Sequence, residues 1–216
     1  MKKNTITAEI AESRLTIENA MEHKLIRKRL AACSYDRKKM LEGKALSEET
    51  HILQSLQEDK YGQQHQQIDA FREQMAEIDE RHRKHRLFAR FALGDRRSAM
   101  KQLKMSGKQK SDIMSRLENL KIFYLLIGIY TDQMENFRVA PEELEQTKAM
   151  VDAAYSLYQD RIYGKRDAKY ATRQRDKKRR ELRLWMTQFK KAARLALHDE
   201  PQLMEVLGLR VPSLRV

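Results

Sequence analysis

Residues that interrupt regular structure are scarce in this chain, which has only three prolines and seven glycines among its 216 residues. A β-sheet protein of this length needs a turn about every 8–12 residues, and turns are rich in glycine and proline. Long helices need fewer breaks, and the abundant residue types, among them Leu, Met, Ala, Glu, Lys, Gln and Arg, favour helix. We therefore predict an all-α fold.

One phrase occurs twice, as ARFALGD at 89–95 and as ARLALHD at 193–199. The residues that match at this offset of 104 are Ala89, Arg90, Ala92, Leu93 and Asp95 in the first copy, and Ala193, Arg194, Ala196, Leu197 and Asp199 in the second. Tyr-Gly recurs at an offset of 102, and ALSEE (45–49) resembles VAPEE (139–143) at an offset of 94. Three matches in the same order predict an internal duplication, with an insertion of about eight residues in the second copy.

Each copy is predicted to form a helical hairpin that is followed by a short helix. The first hairpin is predicted to consist of helices 5–42, with Gly43 as its C-cap, and 47–93, with Ser47 as its N-cap. The second is predicted to consist of helices 110–137 and 141–198, the latter with Pro141 at its first position. The predicted short helices are about 96–105, closed by Ser106-Gly107, and one that begins at 199–201 and closes at Gly208. Tyr61-Gly62 and Tyr163-Gly164 mark two points at which the long helices could kink. The predicted architecture is an elongated four-helix bundle of two tandem helical-hairpin repeats, 1–107 and 108–216, in which the small residues of the repeated phrase allow close packing.

The tail ARLALHDEPQLMEVLGLRVPS resembles the C-terminus of a group of uncharacterised bacterial all-helical proteins, which ends in the pattern ARxAL-x-D-x-PQLLE-x-LG. The matching residues in this chain are Ala193, Arg194, Ala196, Leu197, Asp199, Pro201, Gln202, Leu203, Glu205, Leu207 and Gly208, and Met204 replaces the second Leu of the pattern. The resemblance covers about twenty residues. It implies an all-helical bacterial protein, and it assigns no activity and no functional residue.

Positive charge is concentrated in two segments of the chain, whose formal net charge is +13. Residues 161–183 contain eleven Lys and Arg against three acids, and residues 81–97 contain seven against one. Both segments lie just before or around the repeated phrase. The remainder of the chain is therefore close to neutral.

The stretch TRQRDKKRRE (172–181) contains no apolar residue, so it offers no apolar face to a core. One interpretation is a solvated helix surface that is accompanied by acids of neighbouring helices. The other is a phosphate-binding face, because clustered Lys and Arg bind phosphate backbones without reading sequence. The candidate phosphate or nucleic-acid contacts are Arg173, Arg175, Lys177, Lys178, Arg179 and Arg180.

The other constellations indicate no catalytic, metal or cofactor site. Glu48-x-x-His51 is half of a di-iron helix motif, but the chain has no second Glu-x-x-His, and helix capping is the simpler role. His82 and His85 lie in DERHRKHR, where cationic neighbours disfavour a metal or an added proton, so we expect surface histidines. The chain contains no glycine-rich phosphate loop, nucleophile elbow or Cys/His zinc spacing.

These patterns favour a non-enzymatic helical interaction or scaffold protein that binds a protein partner or further copies of itself. The alternative is a sequence-independent nucleic-acid-binding protein that uses the basic segments 81–97 and 161–183. The most apolar run, 122–130, is about half the roughly 20 residues that a membrane-spanning helix needs. The N-terminal lysines precede no apolar run and Cys33 has no partner, so we expect a cytoplasmic protein without membrane contact.

Overall fold

The computed structural model describes residues 5–105 and 112–209 as helices joined by short turns. No β-strand occurs in these two ranges, so the all-α prediction is confirmed. The helices in chain order are α1 (Ile6–Glu22), α2 (Lys24–Ala32), α3 (Arg37–Leu93), α4 (Arg97–Gln102), α5 (Ile113–Ile127), a 3-10 turn (Gly128–Tyr130), α6 (Thr131–Glu135), α7 (Pro141–Ala196) and α8 (Leu203–Val206). Of the helices described, none combines the length and the apolar character that crossing a membrane requires.

The chain forms two compact units. Unit 1 comprises Met1–Tyr61 and Asp167–Val216, and unit 2 comprises Gly62–Arg166. The divisions fall inside α3 and α7, so each long helix contributes to both units. The buried apolar core of unit 1 includes Ile17, Ile26, Leu30, Met40, Leu182 and Phe189. The core of unit 2 includes Phe71, Ile78, Leu93, Leu117, Phe123 and Ile127.

The first predicted helix, about 5–42, is in fact divided into α1, α2 and the start of α3. The Thr5 hydroxyl accepts from the backbone N–H of Ala8 at 3.2 Å and so caps the start of α1. His23 is extended, and its Nδ1 accepts from the backbone N–H of Ile26 at 3.3 Å, which caps α2. The prediction of one continuous helix was wrong because histidine is not among the residue types that ordinarily mark an N-cap.

The long helix α3 begins at Arg37, whereas the predicted start was at residue 47. Its cap is Asp36, whose Oδ1 accepts from the backbone N–H at the third helical position at 2.9 Å. Ser47, the predicted cap, is buried inside the helix, where its hydroxyl donates to a carbonyl at 2.8 Å. Gly43, the predicted helix end, is also inside α3. A Cβ at Gly43 would lie 2.3 Å from Cζ2 of Trp185, so the glycine serves close packing.

The later helices lie nearer to their predicted bounds. α7 begins at Pro141 as predicted and ends two residues before the predicted end, and α3 ends at the predicted Leu93. The predicted helix 110–137 is divided by the 3-10 turn, and its start and the Ser106-Gly107 closure lie outside the described residues. Both Tyr61-Gly62 and Tyr163-Gly164 are helical.

Four helix ends carry the same C-terminal cap, in two pairs that are 104 residues apart. The residues with positive φ are Ser34 (66°), Lys104 (53°), Arg138 (61°) and Gly208 (70°). At each end the next residue donates its backbone N–H to the carbonyl five residues earlier, as in the bond from Tyr35 to Leu30 at 2.9 Å. This is the Schellman motif, in which a residue with left-handed backbone conformation ends the helix and the backbone N–H groups there satisfy the last helical carbonyls. The caps of α2 and α4 thus recur, 104 residues later, at α6 and α8.

The long helices follow the same offset. Arg37 and Pro141 start them 104 residues apart, and their lengths are 57 and 56 residues. These lengths leave no room for the insertion of about eight residues that we predicted in the second copy. ALSEE lies in the interior of α3, whereas VAPEE spans the start of α7. The similarity between these two stretches therefore does not mark equivalent positions.

Candidate functional site on helix α7 and a buried histidine cluster

The basic segment 161–183 is helical throughout and forms part of α7. Its six candidate contact residues lie on two different sides of that helix, all within unit 1. Arg175, Lys178 and Arg179 are partly buried and are engaged by other side chains of the same unit. The exposed ones are Arg173, Lys177 and Arg180. The structure therefore does not bring the six together as one surface.

Arg175 and Lys178 connect α7 to α3. Arg175 is only 11% exposed, and its guanidinium donates to Oε1 of Gln57 at 2.7 Å and to Oδ1 of Asp176 at 2.8 Å. The Lys178 ammonium lies 2.9 Å from carboxylate oxygens of both Glu49 and Glu181, and hydrogen bonds to these groups raise its pKa. Residues 172–181 contain no apolar residue, and these polar contacts take the place of apolar packing against α3.

Glu9 connects α1 to the same helix. Its carboxylate accepts from Nη2 of Arg183 at 2.7 Å and from Nε of Arg179 at 3.1 Å. The hydrogen bond from Arg183, followed by that from Arg179, lowers the pKa of Glu9 against the opposing effect of burial. Arg179 is therefore committed to an intramolecular pair and is not free to bind phosphate.

The exposed residues form a continuous surface that we name the outer α7 stripe. It consists of Tyr170, Arg173, Lys177, Arg180 and Leu184, which follow one another at spacings of three and four residues on one side of the helix. Leu184 is 69% exposed and Tyr170 is 64% exposed. The three cations form no ion pair or hydrogen bond with any residue between 5 and 105 or between 112 and 209. The stripe thus presents three exposed cations beside two apolar side chains, and the charge of Lys177 also acts on the nearby Glu181 carboxylate.

The second basic segment, 81–97, is divided in the same way within unit 2. Arg81 pairs with Glu77 at 2.9 Å, Lys84 pairs with Glu143 at 2.8 Å, and Arg86 donates to a backbone carbonyl at 3.0 Å. The exposed basic residues of this segment include Arg83, Arg90, Arg96 and Arg97.

The repeated phrase supplies core contacts at the ends of both long helices. Ala89 and Leu93 are buried in unit 2, and the residues 104 later, Ala193 and Leu197, are buried in unit 1. The other residues of the phrase are partly buried, as Ala92 and Ala196 are, or exposed, as Arg90, Asp95, Arg194 and Asp199 are. No chemical role follows from this arrangement.

His85 is fully buried, so the prediction of a surface histidine at this position was wrong. Its Nε2 lies 3.0 Å from Oε1 of Glu143 on α7, and its Nδ1 lies 3.0 Å from the hydroxyl of Tyr124 on α5. A carboxylate can only accept, so Nε2 carries the proton and Nδ1 accepts from the phenol. Lys84 also binds the Glu143 carboxylate, which lowers the pKa of Glu143. The buried imidazole of His85 is thus part of a polar network that reaches the surface of unit 2 through Glu143 and Lys84.

His82 is one turn earlier and is mostly covered by the same elements. Its ring lies edge-on to Phe123 with the centroids 4.6 Å apart, and its buried Nδ1 has no hydrogen-bond partner among the described residues. Burial, followed by the charge of Arg86, lowers the pKa of His82 to about 4. Burial also lowers the pKa of His85 and raises that of Tyr124. Sequence reasoning missed this cluster because its members come from three separate helices.

Metal ligation has no support in the described ranges, where no group of three or more His, Cys, Asp or Glu side chains could hold an ion. Glu48 and His51, the half-motif considered above, are both exposed on α3, and Glu48 lies 3.8 Å from the Lys44 ammonium. Neither residue caps a helix, because both lie in the helix interior.

Comparison of the chain with protein-family models, with curated proteins and with solved structures found no match. The resemblance of the tail to bacterial helical proteins therefore stays a prediction. What the chain does has to be argued from the surfaces described above.

Proposed function

We propose that this protein is a non-enzymatic helical interaction protein that binds protein partners, further copies of itself included, through the outer faces of its long helices. The observation that carries the proposal is the exposure of large apolar side chains on the sides of α3 and α7 that point away from the unit 1 core. Ile52 on α3 is 64% exposed and Leu184 on α7 is 69% exposed. Rows of such side chains beside charged residues are typical of helix faces that pack against other helices.

The proposal includes an internal duplication, with hairpin repeats 1–107 and 108–216 that form a four-helix bundle. The equal offset of the long helices and of the four Schellman caps supports it. Three of the four cap residues, Ser34, Lys104 and Arg138, are not glycine although they have positive φ. Such residues rarely adopt this conformation, so its recurrence at one offset is a stronger argument than identity of the amino acids.

Sequence-independent binding of nucleic acid is a second candidate function. The observation that favours it is the outer α7 stripe, because Arg173, Lys177 and Arg180 are exposed and Tyr170 lies one turn away as a surface for base stacking. The intramolecular pairs of the other three candidates reduce the number of phosphates that the six candidates could neutralise to about three. The slope of log affinity against log salt that these residues contribute on duplex DNA is therefore about −3.

An affinity pull-down from host lysate, with and without nuclease, separates the two functions. Protein partners that survive nuclease support the interaction protein, and partners that are lost with nuclease support the second candidate. The variant Arg173→Gln/Lys177→Gln/Arg180→Gln removes the stripe charges and keeps helix propensity. A second variant, Arg83→Gln/Arg90→Gln/Arg97→Gln, removes three exposed charges from the basic segment 81–97 and tests that segment separately. If the α7 variant retains the wild-type set of partners and binds nucleic acid like the wild type, the charges of the stripe have neither role.

A further inference from the structure

The helical arm formed by α5, the 3-10 turn and α6 lies wholly within unit 2, and we name residues 113–135 the unit 2 arm. The long helices α3 and α7, by contrast, extend through both units. They also contact each other directly within unit 2. The rings of Phe71 and Tyr158 lie 5.8 Å apart, and the amide of Gln74 donates to the carbonyl of Met150 at 3.4 Å. The two long helices therefore have contacts with each other that do not involve the arm.

The arm packs against α3 around the imidazole of His82. The ring of His82 lies edge-on to Phe123 with the centroids 4.6 Å apart, and the ring of Tyr124 lies 5.8 Å from it. Both aromatic residues are buried in the core of unit 2. The buried Nδ1 of His82 has no hydrogen-bond partner among the described residues. A proton on this nitrogen would create a buried donor without an acceptor, on a ring that has become a cation.

The charges around His82 do not compensate for an imidazolium at this position. The ionisable groups that surround it are Asp79, His85 and Arg86 on α3, Arg116 and Tyr124 on α5, and Glu143 on α7. Arg86, followed by His85 and Arg116, opposes a positive charge on His82. Asp79 pairs with Arg116, and Glu143 is bound by His85, so both carboxylates are already engaged. Protonation of His82 is therefore compatible only with a structure in which the imidazole reaches water.

Unit 1 has apolar side chains at the corresponding places. The residues 104 positions before the unit 2 arm fall within 6–32, which contains α1 and α2. The residues 104 positions after His82 and His85 are Met186 and Phe189, and both are buried in the core of unit 1. Neither side chain takes up a proton. Residues 6–32 thus provide an internal reference for any effect of acid on the arm.

From this arrangement we infer that protonation of His82 releases the unit 2 arm from α3 and α7, while the two long helices stay paired and unit 1 stays folded. The inference is independent of the proposed function, and it assigns an acid-sensitive conformational device to the fold. Local opening of this kind is a general property of elements that are held by few contacts.

The direction and size of the effect follow from proton linkage. Burial, followed by the charge of Arg86, lowers the pKa of His82 to about 4 in the closed structure, and the ordinary value of 6.5 applies once the imidazole reaches water. The released arm thus binds a proton that the closed structure excludes, so release becomes more favourable as the pH falls from 6.5 towards 4. With these two values, the equilibrium constant for release is about 30-fold higher at pH 5 than at pH 8.

Hydrogen–deuterium exchange of the full-length chain, measured by mass spectrometry at pH 8 and pH 5 and corrected for intrinsic exchange rates, measures this release. In the wild type, the protection of peptides from 113–135 should fall about 30-fold, whereas that of peptides from 6–32 and 62–93 should change little. His82→Met places the residue type of position 186 in unit 2 and should keep the arm equally protected at both pH values. The matched control His65→Met removes an exposed histidine from the same helix and unit and should behave like the wild type.

Four outcomes would overturn the inference. The first is a wild-type arm that is equally protected at both pH values, and the second is an equal fall in residues 6–32. The third is an equal fall in residues 62–93, which would mean that unit 2 opens as a whole. These three need only the wild type, so they apply even if circular dichroism shows that a variant does not fold. The fourth is an undiminished fall in His82→Met, which would assign the effect to another group. None of them bears on the pull-down, so the proposed function is tested separately.

Discussion

Acid is expected to destabilise unit 2 through His82, and the substitution His82→Met should remove most of that effect. The imidazole lies against Phe123, and its Nδ1 has no hydrogen-bond partner among the described residues. Protonation would therefore place an unpaired charge in a mostly apolar environment. Methionine is the natural replacement because Met186 occupies the position 104 residues later, where it packs in the core of unit 1.

The magnitude follows from the difference between the folded and unfolded pKa. His82 has a pKa of about 4 in the folded chain, against an ordinary value of 6.5. Between these values the unfolded chain binds a proton that the folded chain does not, so the free energy of unfolding falls as the pH falls from 6.5 towards 4. One pKa unit corresponds to about 1.4 kcal/mol, so the loss attributable to His82 approaches about 3 kcal/mol at pH 4. His85 adds a loss of the same sign, because burial lowers its pKa as well.

Urea unfolding monitored by circular dichroism, from pH 8 to pH 4, measures this loss in the wild type and in His82→Met. The difference between the two chains should be constant above pH 7.5 and should shift in favour of the variant by about 3 kcal/mol at pH 4. Groups that titrate in both chains, such as Glu143, cancel in this difference. Fluorescence of Trp185, the single tryptophan, follows unit 1 and reports whether its unfolding shifts as well. Parallel curves for the two chains at all pH values would refute the reasoning.

Three further predictions concern packing and backbone conformation, each to be measured by thermal and urea unfolding. Gly43→Ala should destabilise the protein by about 1–3 kcal/mol because the new Cβ overlaps the indole ring of Trp185. Gly62→Ala, which has open space around the new Cβ, should stabilise it by about 1 kcal/mol. Equal effects of the two substitutions would contradict the packing role of Gly43. Leu197→Asp should lower the free energy of unfolding by more than about 3 kcal/mol because the Leu197 side chain is 1% exposed. Leu195→Asp should lower it by less than about 0.5 kcal/mol because Leu195 is 73% exposed. Arg138→Gly should stabilise the protein by about 1 kcal/mol because the φ of 61° at this position is strained for a residue with a Cβ. A loss of stability would show that the interactions of the Arg138 side chain outweigh this backbone strain.

Helix content, the end of α3 at Leu93 and the bounds of α7 to within two residues could be predicted because they depend on local signals, whereas α3 starts at Arg37 and not at the predicted Ser47. Pro141 fits the first position of a helix, and scarce turn residues require long helices. The break at His23 could not be predicted in this way. It depends on one imidazole that caps α2, a role for which histidine carries no clear preference.

The division of the basic segment could have been predicted from helical spacing. Ala168, Ala171 and Leu182 are the buried positions that flank it, and the side of the helix they share also carries Arg175 and Arg179. This side of α7 contains no apolar residue between 172 and 181, so the sequence gives no sign that it is buried. It is packed by ion pairs and amide contacts with distant residues such as Glu9. Those partners are known only once α1 and α3 have been placed beside α7.

The burial of His85 could not be predicted, because its local surroundings, RHRKHR, suggest a solvated surface. Its partners, Tyr124 and Glu143, are 39 and 58 residues away. The polar cluster forms because α5 and the start of α7 supply a phenol and a carboxylate at matching positions. At the positions offset by 104, unit 1 instead has Ala20 and Phe189, both buried in an apolar core.

This comparison gives a last prediction, on the coupling between His85 and Tyr124. Ala20 and Phe189, the residues offset by 104 from Tyr124 and His85, are buried in the same apolar core of unit 1. His85→Phe alone should therefore be overpacked against Tyr124, and it should remove the hydrogen bond between the phenol and the imidazole. We expect His85→Phe to lower the free energy of unfolding by about 2–4 kcal/mol. We expect Tyr124→Ala to lower it by about 3–5 kcal/mol, because the missing side chain leaves a cavity. The double variant places the residue types of unit 1, Phe and Ala, at these two positions, and it should lower the free energy of unfolding by less than the sum of the two single variants, the difference exceeding about 1 kcal/mol. A double-mutant cycle in urea measures this coupling. Additivity within about 0.5 kcal/mol would mean that the two units do not use equivalent positions to fill their cores, and it would count against the duplication itself.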